Sequence, residues 1–173
     1  AVLRGGTAII PSGHFVLEDG DRIFVTAPTD DLSTLLKNLG IVTRRVRRVL
    51  LCGGGRVSFY LASLLEKDRI SVQILEKDPE RCQLLAELLP NTDVIQGDCS
   101  NQSTLDDQGI EQCDAVVVVC DATCLLRNMN LVLQIIEATD NVIVCVNLMD
   151  EAKRKGITVD IAELEVRLGV RVC

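Results

Sequence analysis

Residues 115–120 read Ala-Val-Val-Val-Val-Cys and are apolar at every position. A strand with one wet face alternates apolar and polar side chains, so a strand without alternation must be covered on both faces. Val49-Leu50-Leu51-Cys52, Val72-Gln73-Ile74-Leu75 and Val142-Ile143-Val144-Cys145-Val146 share this character. Such strands lie side by side in parallel sheets, whose crossovers lay helices over both faces. The intervening residues supply the crossovers. The pattern predicts strands at 49–52, 71–75, 93–95, 115–120 and 142–146, with a sixth at 170–173. It predicts helices at 57–66, 79–89 and 125–138, with shorter helical turns at 105–108, 151–155 and 161–168. Pro79 suits a first helical turn, and Gly40 and Gly109 suit the residue just past a helix end. Strand and helix in alternation, joined by right-handed crossovers, give an α/β fold with a doubly wound parallel sheet.

With three Phe, one Tyr and no Trp, the core has to be built from Val, Leu and Ile. Residues 1–40 have a different character from the rest of the chain. Strand-like pieces at 7–10 and 22–26 are separated by the turn signals Pro11-Ser12-Gly13 and Glu18-Asp19-Gly20-Asp21, and a helix comes next at 31–39. Residues 41–48 carry Arg44, Arg45, Arg47 and Arg48 and read as a solvated connector. A net charge of −7 leaves no broad surface to neutralise phosphates, which argues against a nucleic-acid partner. The eight cysteines include no CxxC pair, and Cys52, Cys120 and Cys145 sit within or at the ends of apolar strands. Free Cys behaves there as a small hydrophobe, as in a chain kept reduced in the cytosol. Cys120 and Cys124 are the closest pair, and His14 is the single histidine, so no zinc-ligand set or catalytic acid–base constellation is legible. No apolar run reaches the roughly 18 residues that span a bilayer. The opening residues read as mid-domain sequence, as expected of a piece of a longer chain.

The sharpest chemical signal is Gly53-Gly54-Gly55-Arg56-Val57-Ser58, a G-x-G-x-x-S pattern between a predicted strand and helix. Gly53 permits the tight turn, Gly55 lets the backbone approach a pyrophosphate at the helix N-terminus, and Ser58 is the small third residue. Glu76 closes the second strand 23 positions after Gly53. A carboxylate there accepts from ribose hydroxyls and repels a 2′-phosphate, which favours NAD(H) or another adenosine nucleotide over NADP(H). Asp98-Cys99 end the third strand at the same edge, where they serve an adenine or ribose edge or a simple turn. Asn147 and Asp150, after the fifth strand, match the N-x-x-D element by which GTPases read guanine. The phosphate-binding GxxxxGK[ST] loop and D-x-x-G that a GTPase needs are absent, so the chain is not read as an enzyme.

Two resemblances become specific on these residues. Residues 1–112 resemble the TrkA family, the cytosolic NAD-binding regulators of Trk-type potassium uptake, built from RCK units. TAIIPSGHFVLEDGDRIFVTAPTDDLSTLL is similar to the end of a ligand-sensing RCK-C domain. VRRVLLCGGGRVSFYLASLLEK, SVQILEKDPERCQLLAELLP and DVIQGDCSNQSTLDDQGIEQCDA are similar to a TrkA-N domain. This resemblance implies a Rossmann-like nucleotide-binding domain over 49–173, preceded by a small β-rich RCK-C-like segment over 1–40. It implies that Gly53, Gly55 and Ser58 hold the pyrophosphate, that Glu76 takes the adenosine ribose and that Asp98 and Cys99 lie beside the adenine, with Arg56, Val57 and Lys77 also among the cofactor-binding residues. The implied ligand is NAD(H) or ATP/ADP, and the implied partner a membrane-embedded potassium transporter subunit. The chain would then be a homo-oligomer, cytoplasmic and peripheral to the inner face of the membrane. From about Asp114 the sequence resembles instead the later half of the G domain of the ferrous iron transporter FeoB, with Asn147 and Asp150 as a guanine-binding remnant. The chain thus reads as a fusion with its join in or beside the fourth strand, 49–113 being TrkA-N-like and 114–173 FeoB-like. The competing readings are a guanine-nucleotide fragment of an iron transporter and a fusion fragment without function.

Overall fold

A computed structural model describes residues 1–40 and 46–173; residues 41–45, most of the expected connector, lie outside the described residues. The chain divides into two units, Ala1–Arg45 and Val46–Cys173. In the first, β1 (Val2–Arg4) pairs antiparallel with β2 (Thr7–Ile9) on one side and β3 (Arg22–Ile23) on the other. Gly5 and Gly6, with φ of +54° and +83°, make the two-residue turn between β1 and β2 that needs positive φ at both positions. The strand expected at 22–26 stops at Ile23, because β1 offers it only Val2 and Leu3 as partners. Behind the turns, the Arg4 guanidinium forks onto Asp21 at 2.8 and 2.7 Å and also donates to Glu18 and the Val16 carbonyl. Those donors pull the Asp21 carboxyl down to about 2. Helix α1 (Thr29–Asn38) closes the unit.

In the second unit, β4 (Arg48–Cys52) begins one residue earlier than the apolar run suggests. The Asp114 carboxylate takes the N–H groups of Arg47 and Arg48 at 2.8 and 3.0 Å and fixes the strand's start, so Arg48 belongs to the sheet rather than the connector. After it come α2 (Arg56–Lys67), β5 (Ser71–Glu76), α3 (Pro79–Leu88) and β6 (Thr92–Gln96). The chain then crosses back through α4 (Gln102–Asp107) and a 3-10 turn at 110–112 to β7 (Ala115–Asp121). A second 3-10 turn at 122–124 leads into α5 (Leu125–Ala138), β8 (Val142–Asn147), α6 (Met149–Arg154), α7 (Ile161–Leu168) and β9 (Arg171–Val172). Asp78 and Asp160 cap α3 and α7 by accepting from first-turn N–H groups, as short acidic side chains do.

The six strands form one parallel sheet in the order β6-β5-β4-β7-β8-β9. This is the doubly wound Rossmann-like arrangement: the chain starts at the centre, runs outward, returns, and runs outward the other way. Period-two geometry splits each apolar run between two faces. Leu50, Leu75, Val116, Val118 and Val144 are fully buried on the face that carries α5. Leu51, Val72, Ile74 and Val117 lie on the face that carries α2 and α3. That second face is only partly covered. Val49, Leu61, Val117, Ile143 and Cys145 line an apolar groove of about 780 Å³ beside α2, because α5 packs on the opposite side of β8. No helix among the described residues is long and apolar enough to cross a membrane.

Candidate functional site

Strand order reverses between β4 and β7, and in open α/β sheets ligands sit outside the carboxyl ends of the strands at that point. The glycine turn lies there. Gly53 has φ +95° and donates to the Leu75 carbonyl at 2.9 Å, so the chain leaves β4 while still tied to β5. Gly55 is the N-cap of α2, with φ −69° and ψ −179° and no side chain capping the helix. A Cβ built on Gly55 meets nothing within 4 Å. An uncapped helix of this length presents free N–H groups and the positive end of its dipole to that open space. The arrangement fits a phosphate group, which a capping side chain or a bulky residue at 55 would displace.

Gly54 has no assigned role in the sequence pattern, yet it is the tightest position in the turn. A Cβ there would stand 2.5 Å from Leu85 Cδ1 and 2.9 Å from Glu76 Oε2. Its N–H donates to Glu76 Oε2 at 2.6 Å, and Glu76 Oε1 accepts from the Asp78 N–H at 2.8 Å. Glu76 is therefore at the strand end, as expected, but its carboxylate is turned inward and 9% exposed, bracing the glycine turn against the turn that starts α3. Each carboxylate oxygen keeps a second acceptor site. Ser58, at the third position of α2, is 1% exposed, and its hydroxyl has no partner. Its side chain serves close packing of helix on sheet, leaving only its main-chain N–H for a ligand.

Asp98 accepts from the N–H and hydroxyl of Ser100 at 2.9 and 2.6 Å and from Lys77 Nζ at 3.2 Å, which brings its carboxyl down to about 2. Cys99 is buried beneath the turn and donates to the Leu75 carbonyl at 3.5 Å. Thus Gly53 and Cys99 share one carbonyl. Two cations also gather beside the turn: Arg56 and Arg81, each in a helix's first turn, line a cleft of about 320 Å³ with Gly54, Gly55 and Tyr60. Sequence reasoning names Arg56 but misses Arg81, whose only signal is its place three residues after the cap Asp78.

Asn147 and Asp150 are not part of this cluster. Asn147 ends β8 opposite Asp121, two strands from the glycine turn, or about 10 Å at the usual strand spacing. Leu148 between them adopts left-handed φ +61°, and Asp150 is exposed and paired with Arg154 at 3.4 Å. Asp121 accepts from the Thr123 N–H at 2.7 Å, and its own N–H donates to Asn128 at 3.2 Å.

The sheet order and glycine turn define a Rossmann-like α/β unit following a small antiparallel one. Compared with known proteins, residues 1–40 match the TrkA-C domain family and residues 98–173 match the family described as ferrous iron transport protein B. The chain is 37% identical over 114 residues to the Trk system potassium uptake protein TrkA of Haemophilus influenzae, a match covering 66% of this chain and 25% of that protein. The chain spans about a quarter of the length of the curated relatives it matches. Among solved structures, the GsuK channel bound to NAD superposes with a TM-score of 0.56 at 14% identity, covering 82% of this chain and 25% of that one. The TrkA-N domain of the inner membrane protein ybaL from Escherichia coli gives 0.51 at 18% identity, covering 72% and 94%. At such identities the structural likeness is one of fold. The chain thus resembles TrkA over about two thirds of its length and the ferrous iron transport protein B family toward its end, that second match beginning ahead of β7.

Proposed function

We propose that this chain is a regulatory module of a Trk-type potassium uptake system that binds an adenosine nucleotide, NAD(H) or ATP/ADP, at the turn after β4. The observation that carries this reading is the open, uncapped N-terminus of α2 above Gly55, at the switch point of the sheet. In this reading the N–H groups of Gly55, Arg56, Val57 and Ser58 and the guanidinium of Arg56 hold the phosphates. The free acceptor sites of Glu76 meet the ribose, with Lys77 beside it, and Asp98 and Cys99 flank the adenine. The likeness to TrkA proteins supports a membrane-embedded potassium transporter as partner, assembly of several copies, a cytoplasmic place against the membrane and a non-catalytic role. Nucleotide binding would bias one arrangement of the module, and the transporter would sense that bias.

Equilibrium titration with NADH, ATP and GDP tests it. Saturable binding of NADH or ATP that Gly55→Val abolishes is the expected result, since valine tolerates extended backbone at 55 and fills the open space. GDP binding lost in Asp150→Ala would establish the guanine-nucleotide reading in its place. Binding of none of the three overturns both.

A further inference from the structure

Arg56, Lys77 and Arg81 all lie close to the candidate nucleotide turn in sequence, but they are not equally free to meet an anion. Lys77 Nζ already donates to Asp98 at 3.2 Å. The guanidinium groups of Arg56 and Arg81 have no hydrogen bond or ion pair among the described residues. Both side chains line the cleft of about 320 Å³ that Gly54 and Gly55 share, and Leu84, Leu85 and Leu88 form its apolar wall. None of the described residues lining that cleft is acidic. In a chain with 25 acidic and 18 basic residues, two unpaired guanidinium groups thus share one cleft with no carboxylate to answer them. The cap of α3 leaves Arg81 in this state. Asp78 accepts from the main-chain N–H groups of Glu80 and Arg81 at 2.9 and 3.4 Å, which fixes the Arg81 backbone without engaging its side chain.

A carboxylate at the end of the second strand ordinarily turns a ribose 2′-phosphate away. That argument assumes a bare carboxylate facing the ribose. Here Glu76 is 9% exposed, and its two oxygens take the Gly54 N–H at 2.6 Å and the Asp78 N–H at 2.8 Å. Gly54 joins the two features, because its N–H holds Glu76 and its backbone borders the cleft. A ribose resting on the free acceptor sites of Glu76 therefore has the mouth of the cleft beside it. One carboxylate, already hydrogen-bonded, stands there against two unpaired guanidinium groups. Guanidinium matches phosphate as a planar fork of charge-assisted donors, and an apolar wall strengthens the attraction by excluding water.

We propose that Arg56 and Arg81 form a subsite for a phosphate on the 2′-oxygen of the adenosine ribose, so that the chain takes NADP(H) in preference to NAD(H). This deepens the proposed nucleotide function and rests on it. Glu76 keeps the 3′-hydroxyl. Arg81 meets the 2′-phosphate from the first turn of α3, and Arg56, at the head of α2, stands between it and the pyrophosphate.

Equilibrium titration of the full chain with NADH, NADPH, adenosine 2′,5′-bisphosphate and adenosine 3′,5′-bisphosphate tests the subsite. NADPH is expected to bind about tenfold tighter than NADH at low salt, the scale of one charge-assisted hydrogen bond. The 2′,5′-bisphosphate is expected to bind tighter than its 3′,5′ isomer, and both preferences should shrink as salt rises. Arg81→Gln is expected to erase the preference and leave NADH affinity unchanged. Arg81 is exposed and its side chain holds nothing in the fold, so the variant should fold as the parent does. Arg81→Lys should keep part of the preference, since it retains the charge and loses the fork. Equal or weaker binding of NADPH in a chain that binds NADH overturns the subsite and leaves the proposed function standing. An equal loss for both dinucleotides in Arg81→Gln also overturns it, because Arg81 then serves the part they share. If none of the four ligands binds, the subsite falls, and ATP titration alone decides the proposed function.

Discussion

Adding one methyl group to Gly54 and one to Gly55 is expected to have opposite consequences, although the residues are neighbours in one turn. At Gly54 the new Cβ meets Leu85 Cδ1 at 2.5 Å, Glu76 Oε2 at 2.9 Å and Glu76 Cβ at 3.1 Å. Leu85 is 4% exposed and has little room to move, so the Glu76 carboxylate must yield. Its 2.6 Å bond from the Gly54 N–H is then lost or stretched. A buried charge-assisted hydrogen bond contributes about 1.5–3 kcal/mol, and overpacking a filled site costs about 1–3 kcal/mol. The two overlap because one shift relieves both, so Gly54→Ala should destabilise the α/β unit by about 2–4 kcal/mol. At Gly55 the methyl meets nothing within 4 Å, and φ −69° is ordinary for alanine. Gly55→Ala should therefore change stability by less than about 1 kcal/mol. Tyr60 is the single tyrosine in a chain without tryptophan, and it lies on α2, so its emission reports the right unit during urea unfolding. For Gly54→Ala the midpoint should fall by about 1–2 M at a typical urea slope. A midpoint equal to the parent's, or an equal fall for Gly55→Ala, would refute the close-approach argument.

Glu76→Gln retains a single acceptor oxygen for the two N–H groups of Gly54 and Asp78, so about 1–3 kcal/mol should be lost. Hydrogen exchange at the Gly54 amide should quicken by more than global unfolding explains. Ser100→Ala removes the shortest donor to Asp98, so a carboxylate NMR titration should find its pKa moved from about 2 toward 3.8. Since the folded value is depressed, Asp98 stabilises the parent above pH 3.8 and loses that contribution as pH falls toward 2; Ser100→Ala should show a smaller loss in this window. Leu50→Ala, at a fully buried site, should cost about 2–5 kcal/mol by the same urea assay.

The four valines of β7 make the parallel sheet legible, because main-chain geometry leaves few homes for a strand without a polar face. Gly53 is legible for a similar reason: a turn that leaves β4 at φ +95° admits little else. The features hidden from sequence depend on the groups that stand opposite. Gly54 is tight only because Leu85 and Glu76 converge on it from another helix and strand. The inward turn of the Glu76 carboxylate reflects the N–H groups that happen to face it. The Cys99 thiol reaches the Leu75 carbonyl because β6 lies beside β5, a neighbourhood set by strand order rather than spacing. Strand β1, three residues long, is too short for periodicity to reveal, although the Gly5-Gly6 pair is its available sign.

Strand β7 joins β4 through the register Val49–Ala115, Leu50–Val116, Leu51–Val117 and Cys52–Val118. The match to the iron-transport family starts at residue 98, in the crossover after β6, and so takes in β7, β8 and β9 whole. A ladder of main-chain amides does not distinguish the lineage of its side chains. A splice in the crossover can therefore exchange an entire half-sheet as a cassette, asking of the incoming piece only a strand of the right length and side chains of matching bulk. The boundary between β4 and β7 is thus a natural grafting site, where half-domains of different ancestry can be combined without rewriting either.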